Sequence, residues 1–294
     1  MSKYSIFLYL GLAVFIFAVV LGLGIMVFYN MDDNDSEKNE FILKKKNIKI
    51  KKRQSVSERR KKLHTRIKRK SSYKPVETGV VEVDSIAQQL KGMTIPEDKI
   101  ELIDQLQDMD DPAVTALVNS LLDDSDADVR LAALELLEDK TKGDIAACLD
   151  KALDDPDDAV REYAATLVDG IKDKDASEML LAKALEDSSE NVREAGFDVI
   201  VDKTNDVQEA VFAQSIHSPY QETKETTADA ILDISSHSSI NILFEGLKDP
   251  DPDFVEYINS KIDYLFAKEF DSYDDAVKWW NENKDNYDEE LFDK

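Results

Sequence analysis

The sequence predicts an all-α protein, an α-solenoid of stacked helical hairpins preceded by one transmembrane helix and a basic linker. Three observations predict this architecture. A phrase of the form L-D-D-P-D-D-A-V-R recurs about every 31 residues, which indicates a repeat array. Apolar residues follow each copy at helical spacing. A run of uncharged, mostly apolar residues near the N-terminus is typical of a helix that spans a membrane.

The predicted elements divide the chain into five parts. They are a short N-terminal tail at 1–5, a transmembrane helix at 6–29, a polar and basic flexible linker at 30–82, a solenoid of about five to six repeats at 83–269, and a C-terminal capping helix region at 270–294. The array needs a cover at its ends because a terminal repeat otherwise leaves its apolar face in water.

Segment 6–29 contains 24 consecutive residues without a charge. A spanning helix needs about 20 such residues, whereas the apolar core of a signal peptide has about 7–15. No small-x-small cleavage site follows, so we expect an uncleaved single-pass anchor in the plasma (inner) membrane. Lysines are more frequent after this segment than before it, and positive charge tends to stay cytoplasmic. We therefore expect a cytoplasmic solenoid, with a periplasmic or extracytoplasmic one as the alternative.

A basic run occupies residues 44–74, where 16 Lys or Arg stand against the single acid Glu58. Three interpretations are open, namely a solvated linker, a contact with anionic lipid head groups and a contact with nucleic acid. The run has no aromatic residue before Tyr73 on which a base could stack, and this disfavours nucleic acid. The side chains predicted to contact lipid are Lys44, Lys45, Lys46, Lys51, Lys52, Arg53, Arg59, Arg60, Lys61, Lys62, Arg66, Lys68, Arg69 and Lys70.

Charge is distributed unequally along the chain, whose formal net charge is −25. Residues 1–74 carry a net charge of +12 and residues 75–294 a net charge of −37. A domain this acidic repels nucleic acid and anionic membrane, so we expect no nucleic acid on the solenoid and a basic protein as its partner. Cys148 is the only cysteine, so no intrachain disulfide can form.

The repeat is marked by Val129-Arg130, Val160-Arg161 and Val192-Arg193, which lie 31 and 32 residues apart. Five positions before each of these valines, and at the equivalent positions of the later repeats, the chain has an Asp or Ser. Both residue types are good N-caps, so we predict that a helix begins directly after each one. These predicted caps, continued through the later repeats, are Asp124, Asp155, Asp187, Ser218 and Asp249. Gly143 and Gly170 lie in the polar stretches that follow, where we expect turns or helix C-caps.

The phrase D-P-D-D-A-V-R-E-Y-A-A at 155–165 resembles the HEAT repeat, in particular the HEAT-like class of the phycobilisome lyases. The resemblance covers about residues 96–266 and is strongest over 124–200. It implies a solenoid in which the basic residue after each valine pairs with the acidic turn of an adjacent repeat. The residues of this implied ladder are Asp124, Arg130, Asp155, Arg161, Asp187, Arg193 and Asp249, with Lys224 in the equivalent position.

Residues 270–294 break the period and contain Trp279 and Trp280. We predict a helix here, capped by Asp271 or Ser272, whose aromatic side chains close the last apolar face of the array. The alternative is that the two tryptophans form an aromatic anchor for a partner.

The sequence contains no catalytic constellation, cofactor motif or metal site that stands out, so we expect a protein that is not an enzyme. The D-x-D-x-D pattern at 124–128, with Glu135, has the spacing of a calcium loop, but Val129 stands where that loop requires glycine. His217 and His237 lie in turn-like stretches, where solvated histidines are expected rather than metal ligands. For Cys148, on the apolar face of a predicted helix, we expect a buried structural thiol.

These features together predict a membrane-anchored scaffold or adaptor that presents an acidic HEAT-like solenoid to a protein partner. Two alternatives belong to other classes. A HEAT-like lyase or enzyme-assisting subunit, which the resemblance implies, requires a concave pocket with convergent polar groups. A tether for lipid or nucleic acid requires only the basic run. The fold class by itself does not decide among these functions.

Overall fold

The structure is a computed structural model that describes residues 73–138, 140, 142–288 and 291. The predicted transmembrane helix at 6–29 lies outside the described residues, and so does the basic run up to residue 72. Within the described part, no helix is both long enough and apolar enough to cross a membrane.

Thirteen α-helices account for most of the described residues, and none of these residues lies in a β-strand. This confirms the all-α class for the described part of the chain. The helices are α1 (Val81–Gly92), α2 (Pro96–Ile103), α3 (Pro112–Leu121), α4 (Ala127–Glu135), α5 (Ile145–Ala152), α6 (Asp158–Leu167), α7 (Lys174–Leu185), α8 (Glu190–Ile200), α9 (Asn205–Ser215), α10 (Gln221–Ile234), α11 (His237–Glu245), α12 (Pro252–Phe266) and α13 (Tyr273–Asn283).

The helices after the acidic turns begin two residues later than predicted. Asp157, the N-cap of α6, accepts a hydrogen bond from the backbone N–H of Ala159. The predicted cap Asp155 lies upstream in the turn, where its Oδ1 accepts the N–H of Asp157 at 2.9 Å. The first acid therefore builds the turn and the second caps the helix. The predicted caps were wrong by two positions at Asp124, Asp155, Asp187, Ser218 and Asp249, and the N-caps are Asp126, Asp157, Ser189, Tyr220 and Asp251.

The helices pack in two series. In the even series, α2, α4, α6 and α8 contact one another in order, and α10 contacts α12. In the odd series, each helix from α1 to α13 contacts the next odd-numbered helix. The apolar stripe after the first repeated phrase lies in the core that these contacts enclose, because Val129, Ala132 and Leu136 are all buried. Alanine at such positions allows neighbouring helices to approach closely.

Two glycines predicted to lie in turns have different conformations. Gly143, between α4 and α5, has a φ of +92°, which glycine adopts without steric cost. A Cβ at this position would lie 2.5 Å from the Cβ of Thr115, so the close approach of α3 also requires glycine. Gly170 ends the 3₁₀ turn Val168–Gly170 without a positive φ.

The C-terminal helix α13 begins after Ser272, whose hydroxyl oxygen accepts the N–H of Asp275. Trp280 is buried, and Trp279 is partly buried. Their rings lie 5.5 and 5.2 Å, centroid to centroid, from the ring of Phe266 at the end of α12. Trp280 therefore packs inside the chain and is not exposed to a partner.

Candidate functional site

Buried ion pairs join most of the turns to the helix of the preceding repeat. The Arg130 guanidinium donates from Nε and Nη2 to the two carboxylate oxygens of Asp155, at 2.6 and 2.7 Å. Its Nη1 donates to the backbone carbonyl of Asp124 at 2.9 Å. Both charged side chains are almost fully removed from water. An ion buried in this way without a partner would cost several kcal/mol. The bidentate geometry supplies the hydrogen bonds that make such burial tolerable.

The same geometry recurs one repeat further along the chain. Arg161 donates from Nε and Nη2 to Asp187 at 2.6 and 2.9 Å, and from Nη1 to the carbonyl of Asp155 at 2.7 Å. The hydrogen bonds to Asp187 raise the pKa of Arg161, although burial opposes the shift. Two repeats later, Lys224 Nζ lies 2.8 Å from Asp249 Oδ2, a single contact in place of the bidentate pair.

One further pair belongs to this set but was not predicted. Lys99 Nζ lies 2.6 Å from Asp124 Oδ2, and both side chains are buried. Lys99 precedes Arg130 by 31 residues, so one more step of the period toward the N-terminus identifies it in the sequence. We name the four pairs the charge ladder, defined as Lys99–Asp124, Arg130–Asp155, Arg161–Asp187 and Lys224–Asp249.

Arg193 was predicted to belong to the ladder, but Ser218 stands where its aspartate would be. Ser218 Oγ accepts the N–H of Tyr220 at 3.3 Å, as the ladder aspartates accept theirs, but it supplies no negative charge. The Arg193 guanidinium instead lies 4.0 Å from the Tyr220 ring centroid and 3.8 Å from a carboxylate oxygen of Glu222. Its Nη1 still donates to the carbonyl of Asp187, at 2.9 Å. We call this position the ladder gap.

A second set of ion pairs, which we call the lysine register, joins lysines on odd-numbered helices to acids of the preceding repeat. Lys151 Nζ lies 3.1 Å from Asp123, and Lys183 Nζ lies 2.9 Å from Asp154. Burial disfavours the charge on Lys183, but its hydrogen bonds to carboxylates outweigh this and raise its pKa. The next lysine position, 32 residues after Lys183, is occupied by the buried Ser215. The lysine register therefore ends in the repeat in which the charge ladder is interrupted.

Lysines also donate to backbone carbonyls of the preceding repeat, near helix ends where carbonyls lack intrahelical partners. The contacts are Lys142 to Asp110 at 2.9 Å, Lys151 to Asn119 at 2.6 Å, Lys183 to Asp150 at 2.9 Å and Lys203 to Val168 at 3.0 Å. Burial lowers the pKa of Lys203, although the nearby charges of Asp169 and Asp202 oppose the shift. These cations are therefore engaged within the chain.

A groove of about 530 Å³ opens between α7 and α9 in the repeat that contains the ladder gap. Its walls combine acidic side chains with an apolar patch at Met179, which is 51% exposed. Desolvation raises the pKa of Glu186 at one end, against a hydrogen bond to Ser218 and the charge of Arg193. The lining residues are Asp175, Glu178, Met179, Ala182, Lys183, Glu186 and Gln214.

The calcium-like pattern at 124–128 has another structural use. Asp124 bonds to Lys99, and Asp126 caps α4 by accepting the N–H of Asp128. Because α4 begins at Ala127, the second half of the pattern is helical and does not form the loop that would surround an ion. Another group of carboxylates whose oxygens lie within 4.8 Å of one another is exposed and consists of Glu190, Glu194 and Glu222.

Cys148 lies on α5 with 1% of its surface exposed. Its sulfur lies 3.6 Å from the carbonyl oxygen of Thr115, to which the thiol donates. Burial raises the pKa of Cys148 to about 12, with the charge of Asp144 as a further cause. Because the thiolate is the nucleophilic form, this position suits a packed thiol and not a reactive one.

The two histidines of the described part occupy different environments. His217 lies in an exposed turn, 3.8 Å from Glu245. For His237, the expectation of a solvated turn was wrong, because it is the first residue of α11 and its ring contacts Trp280 edge-on at 5.1 Å. The signal for this in the sequence is Ser236, which caps α11.

No protein-family model matches the chain, and no curated protein matches it. Matching solved structures include the crystal structure of an engineered protein, determined by the Northeast Structural Genomics Consortium. It has 18% sequence identity and a TM-score of 0.35, and the match covers 62% of this chain and 95% of the engineered chain. A TM-score of this size does not establish a shared fold, so the function is inferred from the residues described above.

Proposed function

We propose that the chain is a membrane-anchored adaptor whose acidic helical domain binds a basic protein partner. The observation that carries this proposal is that many basic side chains are paired inside the domain, whereas acidic side chains are in large excess. Residues 75–294 contain 19 basic and 56 acidic residues. Many of the cations are engaged within the chain, in the charge ladder and in the lysine contacts between repeats. The surplus carboxylates remain to give the surface its negative potential.

The arrangement of the helices supports an extended binding surface. Contacts between helices two positions apart, repeated along both series, are those expected of HEAT-like hairpins stacked in an α-solenoid. The basic and acidic partners of the ladder lie 25 or 26 residues apart, so the same contact recurs between neighbouring repeats. A solenoid binds proteins through many modest contacts along one face, and an acidic face selects basic partners.

The membrane part of the proposal rests on the uncharged segment 6–29, which is long enough to span a bilayer. The excess of lysine after this segment supports a cytoplasmic domain. In that orientation, the basic run at 44–74 lies beside the anionic inner leaflet and strengthens the attachment.

A single experiment in living cells tests the adaptor. The full chain carries a photo-crosslinking amino acid at Ala147, an exposed position on α5 outside the groove. We expect the chain to be crosslinked to a basic protein and the crosslinked product to be found in the membrane fraction. When residues 6–29 are deleted, both the chain and the crosslinked product should be lost from that fraction. With purified partner, the affinity falls at least tenfold, roughly, when salt rises from about 50 to 500 mM. An affinity that salt does not change contradicts the proposal.

A further inference from the structure

The groove between α7 and α9 lies where the lysine register ends and the charge ladder is interrupted. In the two preceding repeats, the acids equivalent to Glu186 are Asp123 and Asp154, and each has a lysine of the next repeat within 3.1 Å. The lysine that would serve Glu186 is replaced by Ser215. Glu186 therefore lies at a position where the fold pairs an acid with a cation, but the chain places no lysine in that register.

A second carboxylate of the groove has unused hydrogen-bonding capacity. Oε1 of Glu178 is buried and accepts no hydrogen bond. Lys174 Nζ lies 3.5 Å from it, but this ammonium makes its closer contact, at 2.8 Å, with Asp206. The Glu178 carboxylate is therefore only weakly paired within the chain, and the exposed 24% of its side chain leaves it open to a cationic N–H group from a partner.

The lysine inside the groove does not neutralise these acids. Lys183 donates to the side chain of Asp150 at 2.7 Å and lies 2.9 Å from Asp154, both belonging to the preceding repeat. Its charge is thus already engaged away from Glu178 and Glu186. Met179, the residue after Glu178, offers an exposed and flexible thioether, a side chain that adapts to varied apolar partners. Ala182, which also lines the groove, lies midway along α7 between the two acids.

We propose that this groove binds a short basic segment of a partner protein, with one cationic side chain on Glu178, another on Glu186 and an apolar side chain between them, over Ala182 and beside Met179. This assignment rests on the adaptor function proposed above, for which it names the binding site and the recognised chemistry. The cation on Glu186 takes the place of the lysine that the preceding repeats supply from their own chain.

The geometry of α7 sets the spacing of the recognised side chains. Glu178 and Glu186 are eight residues apart, which corresponds to about 12 Å along a helix axis. An extended segment advances about 3.3 Å per residue, so side chains four positions apart match this distance and point to the same side. The residue midway between them also faces the groove. The matching sequence is a cation, any residue, an apolar residue, any residue and a second cation, with arginine favoured because it binds carboxylates in bidentate fashion.

The test uses the purified full chain and a fluorescein-labelled peptide, Gly-Arg-Ser-Leu-Ser-Arg-Gly, in an anisotropy titration. We expect saturable binding that weakens at least tenfold, roughly, in the double variant Glu178→Gln, Glu186→Gln. The double variant Glu256→Gln, Glu282→Gln, which neutralises two exposed acids on α12 and α13, is the matched control and binds within about twofold of wild type. A peptide with serine in place of leucine binds several-fold more weakly. Cooperative thermal unfolding close to the wild-type midpoint shows that the variants fold.

Two outcomes overturn the groove assignment. Equal binding by wild type and the double variant means that the peptide responds to diffuse surface charge. Absence of peptide binding, while the partner crosslinked from Ala147 still binds in a salt-dependent way, removes the groove and leaves the adaptor function in place. Conversely, groove binding with no crosslinked protein partner in cells supports the assignment and contradicts the adaptor function.

Discussion

The repeats on the two sides of Arg193 differ in how their charges are paired. From Lys99 to Asp187, three successive ladder pairs bury a cation and a carboxylate in hydrogen-bonding contact. At the ladder gap the cation is kept, but Ser218 replaces the acid. Arg193 is still buried, with 8% of its surface exposed, and is held by an aromatic ring and a more distant carboxylate.

Helix packing changes at the same place. The even helices α2, α4, α6 and α8 contact one another in sequence, but α8 and α10 are not among the closely packed pairs. The odd series continues without interruption through α7, α9 and α11. The comparison indicates that the apolar core holds the array together, whereas the ladder draws the even helices and their turns into close contact. A buried ion pair contributes in this way to geometry even where its net free energy is small.

The largest effect is expected from breaking a complete ladder pair. Asp155→Asn keeps the shape of the side chain and the hydrogen bond to the N–H of Asp157, but leaves Arg130 buried without a counter-ion. We expect the free energy of unfolding to fall by about 3 kcal/mol, since a buried charge that loses its partner is strongly destabilising. Urea denaturation of the full chain measures this change.

Ser218→Ala is the matched control, because it changes the equivalent position of the ladder gap. There the hydroxyl oxygen accepts the N–H of Tyr220 and the hydroxyl contacts the exposed carboxylate of Glu186, but the side chain supplies no charge. Its removal should cost about 1 kcal/mol, in the range of a neutral hydrogen bond. If Asp155→Asn and Ser218→Ala cost the same, the two regions do not differ in the way the geometry indicates.

A smaller effect of opposite sign on the free energy of unfolding is expected when an acid is restored at the ladder gap. Ser218→Asp places a carboxylate opposite Arg193 in the position that Asp155 and Asp187 occupy in the preceding repeats. The guanidinium is already desolvated, so the new pair gains charge-assisted hydrogen bonds without burying a further cation. We expect the free energy of unfolding to rise by about 1 kcal/mol, measured by the same urea titration.

A double-mutant cycle separates this pairing from other effects of the new acid. In an Arg193→Met background, Ser218→Asp should destabilise, because the carboxylate then lies in a partly buried turn without a cation and close to Glu186. A gain of equal size in both backgrounds shows that Arg193 is not the cause.

The sequence predicts the helices and the core better than it predicts the turns. Val129 and Ala132 are buried as expected, because helical periodicity places them on one face whatever the neighbouring repeats do. The caps were misplaced because most of these turns offer two residues of similar capping propensity, two positions apart, and only the course of the chain decides between them. Asp155 turns toward Arg130, and Asp157, two residues later, caps α6.

The groove could not be predicted from local patterns. Its walls come from α7 and α9, and its charge balance depends on the engagement of Lys183 by acids about thirty residues earlier. Once the lysine register is known, its end can be recognised in the sequence. Ser215 stands where the spacing of Lys151 and Lys183 predicts a third lysine. That register is recognisable only after the contacts have been seen.

The smallest expected effect on stability comes from Glu186, the acid beside the ladder gap, and it depends on pH. Burial raises the pKa of Glu186 above its usual value, with opposing contributions from Ser218 and Arg193. The folded state therefore holds this proton more tightly than the unfolded state does. The resulting stability is fully present below about pH 4.5, the ordinary pKa of the group, and is lost as pH rises through the folded-state pKa.

Glu186→Gln removes this dependence. Because the carboxylate is largely exposed and screened by solvent, we expect the variant to exceed wild type by only about 0.3 kcal/mol at pH 7 and to match it at pH 4. Asp154→Asn, one repeat earlier, should have the opposite sign at pH 7, since it removes an acid that Lys183 already pairs. Thermal midpoints at the two pH values measure both variants. A loss of stability in Glu186→Gln at pH 7 would show that this acid already has a sufficient cation within the chain, and that the two regions pair their charges alike.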